Sequence, residues 1–210
     1  MNYELTNTQI IMKKSIIITL ALLLVMGILA GCSSLSGLTN FAKCNFDFNS
    51  VTDVSLCGIN VNTKKGIKDF GVTDALKLAN AITSKSFPLS LNVNVDVKNP
   101  NTTTARLDGF DYILWIDDVK MTAGSMSKQV SVGANQKVTM PVNFTFDLLN
   151  ILKSESRDKL VSFGCGLATN NADASRVKLS IKPYFTIGGS VMKFPSYITI
   201  GGNKIMPSTN

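Results

Sequence analysis

The sequence predicts a mainly β protein, antiparallel strands stacked as a β-sandwich with one or two short helices. Residues 89–98 alternate without a fault: Leu89, Leu91, Val93, Val95 and Val97 share one side, and Ser90, Asn92, Asn94, Asp96 and Lys98 the other. That is the period of a half-buried strand. It returns at Val138, Met140, Val142, Phe144, Phe146 and Leu148, at Val177, Leu179 and Ile181, and more loosely over 197–200. Asp117-Asp118 and Gly188-Gly189 stand between apolar runs, where hairpins need turn residues. One face of each strand needs a cover, and a second sheet supplies it.

At the N-terminus, Lys13-Lys14 precede an apolar run over 16–30 that Leu29-Ala30-Gly31-Cys32 closes. The run is shorter than the roughly 20 residues needed to cross a bilayer, and with its basic flank and small residues it reads as a secretory signal. A transmembrane anchor fits less well: Gly27 interrupts the run, and Ser33-Ser34-Leu35-Ser36-Gly37 supplies no positive stop signal. Leu29, Ala30, Gly31 and Cys32 resemble the lipobox of bacterial lipoproteins. The resemblance implies cleavage before Cys32 and acyl chains on its sulfur and amine. One chain holds a protein to a membrane only marginally, at about 0.8 kcal/mol per buried methylene, and two or more hold it stably. Met12 has the form of an alternative start. The expected organisation is a cleaved signal over 1–31, a lipidated tether over 32–43, a sandwich over 44–203 and a tail over 204–210. Ser33, where an aspartate would favour inner-membrane retention, points to the outer membrane, and the lack of acids over 33–36 to a periplasm-facing orientation.

Along the body, 44–48 and 53–61 are expected to form a hairpin around 49–52, which would set Cys44 opposite Cys57 as a possible disulfide. With Cys32 taken by lipid, three cysteines remain. They are either one disulfide and a buried thiol or three small buried hydrophobes. Thr73 is expected to cap a helix over 74–83, with Ala75, Leu76, Leu78, Ala79 and Ile82 facing the sandwich and Asp74 at its positive end. Residues 106–116 read as one long strand, Phe110, Tyr112, Leu114 and Ile116 alternating with Asp111, Ile113 and Trp115, before the turn into 119–126. A second helix is expected over about 148–163, ending before Gly164-Cys165-Gly166. Strands 177–187 and 191–200 follow.

Losing residues 1–31 removes Lys13, Lys14 and Glu4, lowering the formal charge from +7 to +6. Along the sequence that charge is spread out, with no basic cluster interleaved with aromatics, so nucleic acid is not an expected partner. Histidine is absent, which removes the usual general base and the commonest metal ligand.

Asn92-Val93-Asn94-Val95-Asp96-Val97-Lys98-Asn99-Pro100-Asn101, then Tyr112-Ile113-Leu114-Trp115, Gly124 and Val138-Thr139-Met140-Pro141-Val142, resembles the late embryogenesis abundant type 2 family. Its members carry the water-stress and hypersensitive-response (WHy) domain, and the bacterial lipoprotein form resembles those of Bacteroidetes. The resemblance implies an immunoglobulin- or fibronectin-like sandwich. Asn99-Pro100-Asn101 has a physical reading too: proline cannot donate to a sheet ladder and asparagine accepts turn conformations, so the triplet ends a strand.

Asp108, Asp111, Asp117 and Asp118 lie close in sequence, but their spacing is not that of an EF-hand loop, and calcium wants six or more converging oxygens. No S-x-x-K or G-x-S-x-G occurs. The expectation is a protein without metal or cofactor and without enzymatic activity. Two roles stand: a stress-protective envelope lipoprotein held to the membrane by its acyl chains, or a sandwich adaptor that offers an edge strand or apolar patch to an envelope protein.

Overall fold

The structure, a computed structural model, describes residues 40–153, 156–169, 175–187 and 189–202. The signal, Leu29, Ala30, Gly31, Cys32, most of the tether and the tail over 204–210 lie outside the described residues, as does Gly188.

Two antiparallel sheets face each other. The first runs β2(Ile59–Asn60), β1(Asn45–Leu56), β3(Pro88–Lys98), β8(Lys137–Asp147) across its width. The second runs β10(Ser190–Lys193), β9(Val177–Ile187), β5(Gly109–Ile116), β6(Val119–Met126), with β11(Ile198–Gly201) also paired to β9. A small ribbon, β4(Ala105–Leu107) with β7(Val130–Val132), closes one end. Leu89, Leu91, Val93, Val95 and Val97 are all buried, against Val142, Phe144, Leu114, Ile116, Leu179 and Ile181 in one continuous core. The chain is thus a mainly antiparallel β-sandwich with short helices, and the alternation of β3 marks which side faces inward.

The hairpin around 49–52 does not form. Residues 45–56 are one strand paired along its length with β3, and two register shifts, between Phe48 and Ser50 and between Thr52 and Ser55, absorb the polar residues that suggested a turn. The reversal comes at Cys57-Gly58, both at positive φ (51° and 73°), leading into β2. Cys44 and Cys57 therefore flank opposite ends of a twelve-residue strand. At about 3.3 Å per residue they stand on the order of 40 Å apart, far beyond disulfide reach. Both are free thiols.

Residues 106–116 divide at Asp108. Its N–H donates to the Tyr184 carbonyl (3.0 Å) and its carboxylate accepts from the Thr186 N–H (2.8 Å), so 105–107 turn away to pair with β7 while 109–116 stay with β9. The turn at Asp117-Asp118 forms as expected, with φ 49° and 60°, the paired left-handed conformations of a two-residue hairpin. The strand expected over 191–200 is broken at Phe194-Pro195 into β10 and β11, which pair with successive lengths of β9.

The first helix, α1(Val72–Thr83), begins a residue before Thr73, with Gly71 as its N-cap. Asp74 accepts from the Gly71 N–H (3.3 Å) and pairs with Lys64 (3.0 Å). Only Leu78 and Ala81 of this helix are buried; Val72, Leu76 and Ile82 are exposed, contrary to the expected inward face. The second helical segment is two pieces, α2(Leu148–Ile151) and α3(Arg157–Thr169), and α3 runs through Gly164-Cys165-Gly166. A Cβ at Gly164 would lie 3.4 Å from both Leu56 methyls and 3.6 Å from Leu89, ordinary contact distances, so α3 is packed against the sheet at this point and does not end there.

Candidate functional site

The motif Asn99-Pro100-Asn101 is a structural knot. Asn99 is fully buried, and its Nδ2 reaches the carbonyls of Thr103, Val132 and Gly133, each at 2.9 Å. Its Oδ1 accepts from the Asn101 N–H (2.9 Å) and the Asn101 amide (2.6 Å), and its own N–H donates to Gln136 (2.8 Å). Asn101 in turn donates to the Asn40 carbonyl (2.9 Å), tying the first described turn of the chain to this end of the sandwich. The Asn99 side chain and the Asn101 amide are spent on neighbouring loops, so the motif positions those loops.

The four aspartates go to separate partners. Asp108 meets Arg106 (3.1 Å), Gln129 (3.3 Å) and the Thr186 N–H; burial pushes its pKa up, but these donors together hold it below the usual carboxylate range. Lys193 (2.7 Å) lowers Asp111, and Arg176 grips Asp117 in a two-pronged pair (2.8 and 2.7 Å) that lowers it as well. Asp118 stands at the turn, 3.7 Å from Lys178. Among the described residues no three acidic or thiol groups converge as a cation site. Burial raises the Cys44 and Cys57 thiols to about 11, with the Asp147 charge adding at Cys57, so neither is a nucleophile near neutral pH.

What remains is surface, and the two outer faces differ. On the first sheet, Asn94 donates to Ser50 and Thr52 (both 3.0 Å), Asn92 to Asp53 (2.6 Å), Ser90 bonds Thr145 (2.9 Å), and Asp96 gathers Lys137 (2.7 Å), Thr139 (2.7 Å) and Asn49 (3.1 Å). Asn143 donates to Asn92. This is a ladder of amides and hydroxyls satisfied by one another, with no aromatic ring in it.

On the second sheet, register sets Trp115 between Lys120 and Lys178, Ile113 between Ala123 and Ser180, and Asp111 between Ser125 and Lys182. Lys193 lies opposite Tyr184, and Tyr184 spreads over Gly109, where a Cβ would sit 2.3 Å from its hydroxyl. The Lys178 ammonium stands 5.0 Å from the Trp115 ring centre and that of Lys182 5.8 Å from Tyr197. Basic and aromatic side chains that are dispersed in sequence meet here from four strands and from Tyr197, just before β11. The local signal was the Lys178, Ser180, Lys182 alternation, but nothing in the sequence gave the register that brings Trp115 between two lysines.

Residues 94–197 match the family model of the late embryogenesis abundant proteins. Through this segment the chain belongs to the late embryogenesis abundant type 2 family. The matched LEA type 2 segment contains the Asn99 knot, β8 and, through β5, β6, β9 and β10, the basic face, while β1 and most of β3 lie before it. No curated protein sequence matches the chain. Among solved structures, an Archaeoglobus fulgidus protein is 15% identical with a TM-score of 0.33, covering 76% of this chain and 100% of its own. The solution structure of At2g46140.1, assigned to the late embryogenesis abundant (LEA) proteins, is 14% identical with a TM-score of 0.33, covering 90% of this chain and 89% of its own. Neither likeness bears on function.

Proposed function

We propose that the protein is a lipid-anchored, non-enzymatic component of a bacterial cell envelope, whose LEA type 2 domain protects or binds its neighbours by contact. Leu29-Ala30-Gly31-Cys32 behind the short apolar run carries the reading, because a lipobox there would place the acyl chains on Cys32. The family match supports a contact role, and so does the way Asp108, Asp111 and Asp117 are each already held by a cation. Outer-membrane attachment facing the periplasm is the expected location.

Membrane fractionation tests the anchor: the wild-type chain should pellet with membranes and a Cys32→Ser form should lose its acylation, detected by mass spectrometry of the N-terminal peptide. An unacylated wild-type Cys32 would overturn it. Survival of a deletion strain through drying and osmotic shock tests the protective role, and an unchanged survival curve would count against it. The exposed apolar residues Val72, Leu76 and Ile82 on α1 favour a second reading, an adaptor that offers this helix to a protein partner. Crosslinking in intact envelopes separates the two: one stoichiometric partner captured through α1 supports the adaptor.

A further inference from the structure

We propose that the outer face of the second sheet, β10-β9-β5-β6 with β11, docks on anionic lipid headgroups and lays the domain flat on the membrane; this rests on the anchor at Cys32 proposed above. The face is built from strands, and its chemistry is that of a membrane interface. Trp115 and Tyr197 are the residue types that settle at headgroup depth. Lys120, Lys178, Lys182 and Lys193 surround them on flexible stems that can reach phosphates beside an inserted ring. Against these four lysines stand Asp111, paired to Lys193, and Asp118 at the turn, so the face is positive.

The opposite outer face has the reverse character. Asp47, Asp53 and Asp96 outnumber Lys98 and Lys137 there, and its amides and hydroxyls already bond one another. One side of the sandwich thus suits an anionic surface and the other suits water. Residues 33–39 separate Cys32 from the first described residue, Asn40, which at about 3.5 Å each spans less than roughly 30 Å. So short a tether keeps the face at millimolar effective concentration over the lipid, where weak docking suffices. A soluble polyanion shares the sign of charge but has no such tether.

Trp115 is the single tryptophan, so its fluorescence reports on this face alone. The lipidated full-length chain is reconstituted on vesicles of phosphatidylcholine, with or without phosphatidylglycerol, and flotation is measured beside Trp115 emission and its quenching by headgroup-labelled lipid. Docking predicts a blue shift and quenching on anionic vesicles only, reversed by salt. The triple variant Lys120→Gln, Lys178→Gln and Lys182→Gln should weaken it about tenfold or more, and Lys98→Gln on the opposite face should leave it unchanged. Flotation without a Trp115 response on anionic vesicles overturns docking while the anchor stands. Failure to float on phosphatidylcholine, with a Trp115 response when anionic vesicles are added, overturns the anchor while docking stands. Equal quenching on both lipids, or a response to soluble polyphosphate but to no vesicle, also overturns the proposal.

Discussion

Asn99 carries more of the fold than any other polar side chain, because one buried amide serves three backbone carbonyls and one carbonyl accepts twice. Asn99→Ala takes the side-chain donor from those carbonyls, of which Gly133 keeps the Gln136 N–H (3.1 Å), and leaves a buried void, so urea denaturation should show a loss of about 2–4 kcal/mol. Asn99→Asp should cost more, since it turns a donor into a charge facing carbonyls. Asp96 acts on the pH dependence. Hydrogen bonds from Lys137, then Thr139 and Asn49, hold its pKa down to about 2, against an ordinary value of 3.8. Its contribution is complete above about pH 4, where the carboxylate is charged in both states. It is lost as pH falls towards 2, because the unfolded chain takes up its proton first. Thermal melts across that window should show a flatter acid limb in Asp96→Asn than in the wild type.

The β5-β6 hairpin shows how an element stores local strain. Asp117 and Asp118 both sit at positive φ, which a glycine adopts without steric cost. Asp117 is engaged by Arg176, whereas Asp118 is 97% exposed and its pairing with Lys178 is long. Asp118→Gly should therefore raise stability by about 0.5–1 kcal/mol in a thermal melt. Helix α1 divides along its length: Leu78 is 3% exposed and Leu76 60%. Leu78→Ala should cost about 2–3 kcal/mol, while Leu76→Glu should change stability by less than about 0.5 kcal/mol. Equal losses at the two positions would show that the apolar face of α1 is packed in the native fold.

Among the described residues, stability comes from one core shared by both sheets and α3, and Cys44 and Cys57 form no covalent staple. Cys44 and Cys57 are separated by the length of β1, and both thiols stay protonated near neutral pH. Adding a reductant should leave the melting temperature unchanged, and non-reducing peptide mapping should recover both as thiols. A peptide linking Cys44 to Cys57 would require β1 to fold back on itself and would refute the topology.

The amino-acid order alone determined β3, β8 and β9 with their inward sides, the turn at Asp117-Asp118 and the strand end at Asn99, because alternation and turn chemistry are properties of neighbouring residues. It also carries Leu29-Ala30-Gly31-Cys32, on which the proposed anchor rests. The tertiary structure decided what depends on distant partners. β3 offers a full-length template, so β1 stays extended through residues that alone would turn, and its two bulges separate the cysteines. Packing of α3 on the sheet at Leu56 and Leu89 accompanies its passage through Gly164 and Gly166, while only Leu78 and Ala81 of α1 are buried. Strand register, set by pairings tens of residues apart, brings Trp115 among lysines scattered from 120 to 193 and makes one face of the molecule basic.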